Sequence, residues 1–272
     1  MSERPSLSLV VAVYRHPEFL ERVLASLENQ TFTDFEVAIA DDGSGPEIER
    51  VVRDWQGRFR RPILHVWHAD DGFRKTIIVN RAVAATSGQY VVFIDGDCIL
   101  HHRFLERHHL RRRPRQLLSG RRVMLDAGLT RRLTVEDVST RRIEKPWFWW
   151  RHVRPGVWRN GIYLPLLYGA RGGFSFRYEI LGCNYSLFRS DLLEINGYDE
   201  RITGRGMEDV NLKARLLNAG MAVRSLSQEA LQYHCHHENS GFRHDAAAVE
   251  RWRTTREIWV PSGIVKGDRP AV

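Results

Sequence analysis

Residues 91–100 read VVFIDGDCIL, and how the fold is read depends on why a buried-looking strand should run into two carboxylates. Val91 to Ile94 form an apolar run, Asp95, Gly96 and Asp97 interrupt it, and Cys98 to Leu100 resume it. On an extended strand every second side chain shares a face, so the two acids flanking Gly96 start on one side, and both reach a ligand beyond the strand end where the chain bends. Gly96 permits that bend, and oxygen ligands of this kind suit magnesium or manganese, with the ion bridging to phosphates. A plain Asp-Gly turn explains the same three residues equally simply.

Working outward, the segments before this stretch alternate. SLSLVVAVY (6–14), FEVAIADDGSG (35–45), PILHVWHA (62–69) and QYVVFIDGD (89–97) read as strands. PEFLERVLASLENQ (17–30), GPEIERVVRDWQGRF (45–59) and RKTIIVNRAVAATSG (74–88) read as helices by their three-and-four spacing and glycine or proline boundaries. Strand–helix alternation predicts an α/β fold, a mostly parallel Rossmann-like central sheet with helices on both faces. Ligands of such sheets gather beyond the carboxyl ends of the strands. Tyr14 and Arg15, the Asp41-Asp42-Gly43-Ser44 turn and Asp95-Gly96-Asp97 are therefore expected around one crevice. The turn after the first strand, YRHPEF, has no glycine, which argues against a dinucleotide-binding dehydrogenase.

The bounds agree with an enzyme-sized core. The chain has 272 residues, 43% of them apolar, enough for one large domain or two small ones. No stretch approaches the ~20 apolar residues of a membrane span, and the charged start is not that of a signal peptide. Cys98, Cys183 and Cys235 are too few and too widely spaced for a disulfide scaffold or a four-cysteine zinc site, so a cytoplasmic setting is expected. The net charge is +8, and residues 101–122 carry eight arginines and four histidines against one glutamate. Such a field attracts phosphates, nucleic acid or an anionic membrane, or simply keeps the surface solvated.

The second half adds acids and imidazoles. GRGMEDVNLKARLLNAG (204–220) places Glu208 and Asp209 at a helix beginning, with Val210, Leu212, Ala214, Leu216 and Leu217 on its expected buried side. Helix capping accounts for one acid there, but not for glycines on both sides of Arg205. LQYHCHHENSG supplies His234, His236 and His237 within four positions, which with the DGD acids makes a carboxylate–imidazole metal site.

Five segments in this order resemble the family 2 glycosyltransferases of GT-A fold: VAVYRHPEFLERVLASLENQTFTDFEVAIADDGS, DDGFRKTIIVNRAVAATSGQYVVFIDGDCIL, GCNYSLFRSDLLEINGYDE, GRGMEDVNLKARLLNAG and the HCHH segment. The likeness is to the bacterial branch with galactosyltransferase and chondroitin-polymerase type domains. The resemblance implies an inverting transfer of a hexose or N-acetylhexosamine, galactose type favoured, from a UDP-sugar to a saccharide acceptor in surface polysaccharide or lipopolysaccharide synthesis. It implies Asp41 or Asp42 on the uracil ring, with Tyr14, Arg74, Lys75 and Asn80 holding the nucleotide. It also implies Asp97 with Asp95 as the metal-binding acids, completed by His237 or His234 around Mn2+ or Mg2+. Asp209 is then the general base, Glu208 orients the acceptor, and Gly182 and Asn184 line the donor-sugar pocket. Residues 1–100 form the nucleotide-sugar half and 101–272 the acceptor and catalytic half of one domain, with a basic and aromatic insert at 101–165.

The sequence departs from that pattern at Arg205, where relatives carry tryptophan in a Gly-Trp-Gly-x-Glu-Asp element, and at Arg15-His16, where asparagine-arginine is common. WFWWRHVRPGVW (147–158) holds four tryptophans beside arginines. Membrane anchoring, alongside the 101–122 block, is expected of it, with sugar stacking the alternative. A lipid-linked acceptor would be reached from such a surface, and no nucleic acid is expected. Two other classes stay open: a metal-dependent nucleotide phosphohydrolase or nucleotidyltransferase, which explains the DGD acids and histidines, and a basic nucleic-acid-binding protein, which explains the arginines alone.

Overall fold

The computed structural model describes residues 4–149, 163, 182–203, 205–238 and 246–269. Its centre is a seven-stranded sheet of order β3-β2-β1-β4-β8-β6-β9. The strands are β1 (Leu7–Val13), β2 (Phe35–Asp41), β3 (Leu64–Trp67), β4 (Tyr90–Asp95), β6 (Gln116–Ser119), β8 (Asn184–Phe188) and β9 (Ala222–Ser225). β8 runs antiparallel to both its neighbours, β4 and β6, and all other pairings in the sheet are parallel. A second sheet, β5-β10-β7, joins β5 (Cys98–Leu100), β10 (Gln232–His234) and β7 (Val123–Met124). The expected mixed α/β architecture, with the alternating order of the first hundred residues, is the one observed.

β1 is covered on both faces, so its successive residues enter two cores. Leu7, Leu9, Val11 and Val13 pack with helices α1 (Pro17–Glu28) and α2 (Pro46–Trp55), through Leu20, Leu24, Ile48 and Val52. Val10, between them, packs with Ile78 and Ala82 of α3 (Lys75–Ala85) and with Leu212 and Leu216 of the Met207–Asn218 helix. That two-sided burial is why β1 reads as a continuous apolar run rather than an alternating one. Leu217, expected on the buried side of the later helix, is 47% exposed; the helix buries the Leu212–Leu216 side, which turns Leu217 outward.

The two halves of the chain are not separate layers, since β8 lies between β4 and β6 in the same sheet. Arg215 ties the Met207–Asn218 helix to the segment after β8. Fully buried, it donates to the carbonyls of Ile195 at 2.7 Å and Gly197 at 2.6 Å and to Asn211 Oδ1 at 2.8 Å.

Register positions the functional rim. Val13 is the partner of Asp41, and Ala12 of Asp95, so β2, β1 and β4 end level with one another. β1 sits between β2 and β4, so the connections leave it in opposite directions and open a crevice beyond its carboxyl end.

Of the basic and aromatic insert, residues 101–149 are described, including α4 (Phe104–Arg111), in which His108 is fully buried. Most of the tryptophan stretch, from 150 onward, lies outside the described residues; Trp147 is 67% exposed. Among the described residues, no helix is long and apolar enough to cross a membrane.

Candidate active site

A cleft of about 900 Å³ opens beyond those strand ends. Its wall includes Tyr14, Asp42, Lys75, Asp95, Asp97 and the Glu208–Asp209 pair.

The DGD acids divide between two partners. β4 ends at Asp95, Gly96 and Asp97 turn, and β5 starts a different sheet at Cys98. Asp95 Oδ1 accepts from Lys75 Nζ at 2.6 Å. Asp97 Oδ2 lies 3.0 Å from His237 Nε2 and 3.3 Å from His234 Nε2. The pairing of β5 with β10 sets Cys98 opposite His234, and Cys235 N–H donates to the Asp97 carbonyl at 2.9 Å, so the histidine segment is clamped onto the acid. His236, one residue before His237, instead donates its backbone N–H to Thr130 Oγ1 at 2.8 Å. Gly96 is required for space: a Cβ there would lie 2.8 Å from Val13 Cγ2 and 3.3 Å from the Ala12 carbonyl oxygen. Both acids line the cleft, Asp95 engaged by Lys75 and Asp97 by the two histidines.

Burial pushes Asp97 upward, but the hydrogen bond from His237 and the charge of His234 outweigh it and hold the carboxyl at about 2. His237 is raised, first by its hydrogen bond to Asp97, while burial lowers His234. The donor atoms of Asp97, His234 and His237 all lie within 4.8 Å of one another. One carboxylate and two imidazoles form a compact donor set that fits a divalent transition metal better than the all-oxygen shell magnesium prefers.

Glu208 and Asp209 sit in the first turn of the Met207–Asn218 helix, which Gly206 enters at φ 77°, a conformation glycine adopts without a Cβ penalty. Gly182 N–H donates to Asp209 Oδ2 at 2.9 Å, and a Cβ on Gly182 would stand 2.4 Å from that oxygen. Among the described residues, Asp209 Oδ1 and Glu208 Oε2 are buried with no hydrogen-bond partner. Burial, then the neighbouring Glu208 charge, pushes Asp209 up to about 8 against the pull of Lys75; burial also raises Glu208.

At the other end, Asp42 accepts from the Arg74 backbone N–H at 3.1 Å and lies 2.7 Å from His68 Nε2. Burial raises its pKa despite these partners. The Tyr14 hydroxyl donates to Asp70 at 2.9 Å. Arg15 and His16 follow with φ 60° and 58°, two successive left-handed residues at the cleft rim where L side chains are disfavoured.

Four expected donor-binding residues stand off the cleft wall. Asp41 is fully buried, bound by the Ser44 N–H at 2.8 Å and facing His65 Nε2 at 3.0 Å, because its strand position turns it into the sheet, opposite in direction to Asp42. The Arg74 guanidinium pairs with Asp71 at 3.2 Å and bonds the Ala69 carbonyl. Asn80 makes paired hydrogen bonds, each of 2.9 Å, with the backbone of Tyr198. Asn184, fully buried, donates to the carbonyls of Arg121 at 2.9 Å and Ala230 at 3.1 Å. Arg122, Phe73 and Glu238, which sequence reasoning passed over, do line the cleft. Phe73 and Glu238 fall within quoted segments and Arg122 closes the basic block, but no spacing singled them out. Arg205 lines it too, its guanidinium carbon 5.6 Å from the Phe73 ring centroid.

Comparisons with known proteins agree with this architecture. A family model described as glycosyl transferase family 2 matches residues 8–124, and one described as the N-terminal domain of galactosyltransferase matches residues 172–239. Validoxylamine A glucosyltransferase of Streptomyces hygroscopicus is 26% identical over 258 residues, covering 88% of this chain and 57% of that protein. Chondroitin synthase of Escherichia coli is 36% identical over 92 residues, 34% of this chain and 13% of the synthase. The chain thus spans just over half the length of the first relative and a small part of the second. Among solved structures, Staphylococcus aureus TarS superposes with a TM-score of 0.58 at 15% identity, over 85% of this chain and 37% of TarS. A mannosyltransferase from Pyrobaculum calidifontis, in complex with GDP-mannose and Mn2+, gives 0.57 at 14% identity, over 88% of this chain and 59% of its own. Sequence likeness along both halves and a shared sheet topology make the chain a homologue of the bacterial family 2 glycosyltransferases, with their GT-A fold.

Proposed function

We propose that this chain is a metal-dependent inverting glycosyltransferase that moves a hexose or N-acetylhexosamine from a UDP-sugar to a saccharide acceptor. The observation that carries the reading is one cleft walled by two unlike acid sites: Asp97 with two imidazoles, and the adjacent Glu208–Asp209 pair, Glu208 buried and Asp209 half-buried. A charged donor end and a proton-accepting end are what direct displacement at an anomeric carbon needs.

In this reading Asp42 and Tyr14 meet the nucleoside. Asp97, His234 and His237 would hold Mn2+, which when bound neutralises the charge growing on the leaving diphosphate. Asp209 accepts the proton of the acceptor hydroxyl as that oxygen bonds to the anomeric carbon. The bond from that carbon to the diphosphate breaks, UDP departs with its electron pair, and the configuration inverts. Glu208 orients the acceptor, and Lys75 holds Asp95 in place beside the donor through their 2.6 Å contact. A galactose-type donor is supported by the galactosyltransferase domain model, and a broader hexose range by the glucosyltransferase relative. Bacterial surface polysaccharide or lipopolysaccharide is the product class this suggests.

The decisive experiment is a thermal-unfolding screen of UDP-, GDP- and dTDP-sugars with and without Mn2+. A bound donor raises the melting temperature by mass action, by the equivalent of about 2.7 kcal/mol at a hundredfold excess over Kd. A UDP-sugar is expected to protect only with metal and to release UDP once an acceptor is added. Protection by no nucleotide sugar, or release of free phosphate in its place, would overturn the reading in favour of a phosphohydrolase.

A peripheral contact with an anionic membrane, and through it a lipid-linked acceptor, is the partner this reading favours. Arg113 on the segment after α4, Leu110 and Trp147 are exposed. Arg111 is already paired with Glu229 at 2.8 Å. Vesicles rich in phosphatidylserine should retain the protein at low salt and release it in high salt. Equal retention by neutral vesicles, or no retention at all, would remove the membrane from the account.

A further inference from the structure

Arg122 is a half-buried cleft residue with an under-used head. Among the described residues its guanidinium has one hydrogen-bond partner, the Cys183 sulfur at 3.4 Å, and no carboxylate at ion-pair distance. A thiol is a weak acceptor, whereas the guanidinium offers five donors in a planar fork suited to two oxygens of one anion.

The backbone around it is fixed from both sides. The Gly120 N–H donates to the Asn184 carbonyl at 2.9 Å, and the Asn184 side chain returns to the Arg121 carbonyl at 2.9 Å. A Cβ on Gly120 would stand 2.3 Å from Asn184 Nδ2, so only glycine lets these chains meet so closely. A buried chain of polar groups sets the amide in turn: His108 Nε2 lies 3.1 Å from Asn184 Oδ1, His108 Nδ1 lies 2.6 Å from Ser186 Oγ, and Ser186 Oγ lies 2.7 Å from the Tyr90 hydroxyl. On the far side β7 begins at Val123, paired with Tyr233 next to His234. Asn184 therefore acts behind the cleft, on the strand end that presents Arg122.

Its location narrows the ligand. Cys183, which it touches, follows Gly182, whose N–H holds Asp209. Its charge also acts on Asp95 and on His234 of the metal cluster. Arg122 thus shares one cleft wall with the metal cluster and the carboxylate pair and touches the residue next to Gly182, which bounds its ligand to the interval those two groups line. Under the glycosyl-transfer reading, on which this inference rests, the terminal phosphate and the sugar of the donor occupy that interval.

We propose that Arg122 is a donor-binding residue that clamps an oxyanion of the donor there, either phosphoryl oxygens of the diphosphate or a carboxylate carried by the sugar. A preorganised guanidinium needs no rearrangement to meet it.

The test is calorimetric titration, in Mn2+, of wild type and of Arg122→Gln and Arg122→Lys with UMP, UDP, UDP-glucose and UDP-glucuronate. If the diphosphate supplies the oxyanion, R122Q loses about tenfold or more in affinity for UDP, as expected when a hydrogen bond to a charged group is removed, while UMP binds as before. R122K, a charge without the fork, then falls between. If a sugar carboxylate supplies it, UDP and UDP-glucose are unaffected and only UDP-glucuronate weakens. Unchanged affinity for all of these in R122Q overturns the proposal. UMP binding and the melting temperature report folding of each variant. A wild type that binds no uridine nucleotide would instead sink the glycosyl-transfer reading itself.

Discussion

Asp209→Asn removes roughly 10²- to 10⁴-fold of turnover, the usual worth of a positioned general base, while UDP and Mn2+ bind as in wild type. The asparagine keeps the size of the side chain and an oxygen for the Gly182 N–H, which donates to Asp209 at 2.9 Å. What it loses is the capacity to take a proton. Burial and the adjacent Glu208 raise Asp209 to about 8, so in the free enzyme the base is largely protonated at neutral pH. Activity should therefore rise with pH through about 8, and the residual rate of D209N should lack that limb.

Stability moves the other way. The native state holds on to a proton that the unfolded chain sheds near the ordinary value of 3.8. This contribution is full below that value and is lost as the pH rises to about 8, since the buried acid must then ionise. D209N should consequently melt above wild type at pH 9 and lose that advantage at pH 4. A normal transfer rate in D209N would shift the base assignment to Glu208.

Removing the metal centre is the second large effect. EDTA should abolish protection by a UDP-sugar, and Mn2+ should restore it in wild type but not in Asp97→Ala, measured as the melting-temperature shift. Asp97 carries the argument because both imidazoles converge on its Oδ2, at 3.0 and 3.3 Å. Mg2+ should restore less than Mn2+, because two nitrogen donors suit it poorly. His237 is raised above its ordinary 6.5 by its bond to Asp97, so its proton competes with metal increasingly as the pH falls. Metal-dependent protection should fade on acidification accordingly. Equal protection in the presence of EDTA would show that the cluster is an ion-paired structural element.

The glycosyl-transfer fold was legible in local signals. Apolar runs of strand length, punctuated by glycine and proline and alternating with helical periodicity, are properties of neighbouring residues, and β1, β2 and β4 fall where those runs do. Acids just past the ends of these strands were legible for the same reason. The cluster of three histidines was visible and the resemblance narrowed it to His237 or His234, but that both face Asp97 was not legible. That follows from the pairing of β5 with β10 and from the Cys235 clamp, contacts between segments more than a hundred residues apart.

The sequence by itself determined that this chain builds a mostly parallel sheet with carboxylates at its ligand-binding edge, because period and turn chemistry act over a few residues. Only the tertiary structure decided how those groups divide. Asp42 faces the cleft and Asp41 the sheet; Asp95 goes to Lys75 and Asp97 to the histidines. Asn184 supports from behind and Arg122 stands in front. Those assignments depend on which remote strands pair and in what register, and a shift of one residue would turn each side chain to the opposite face.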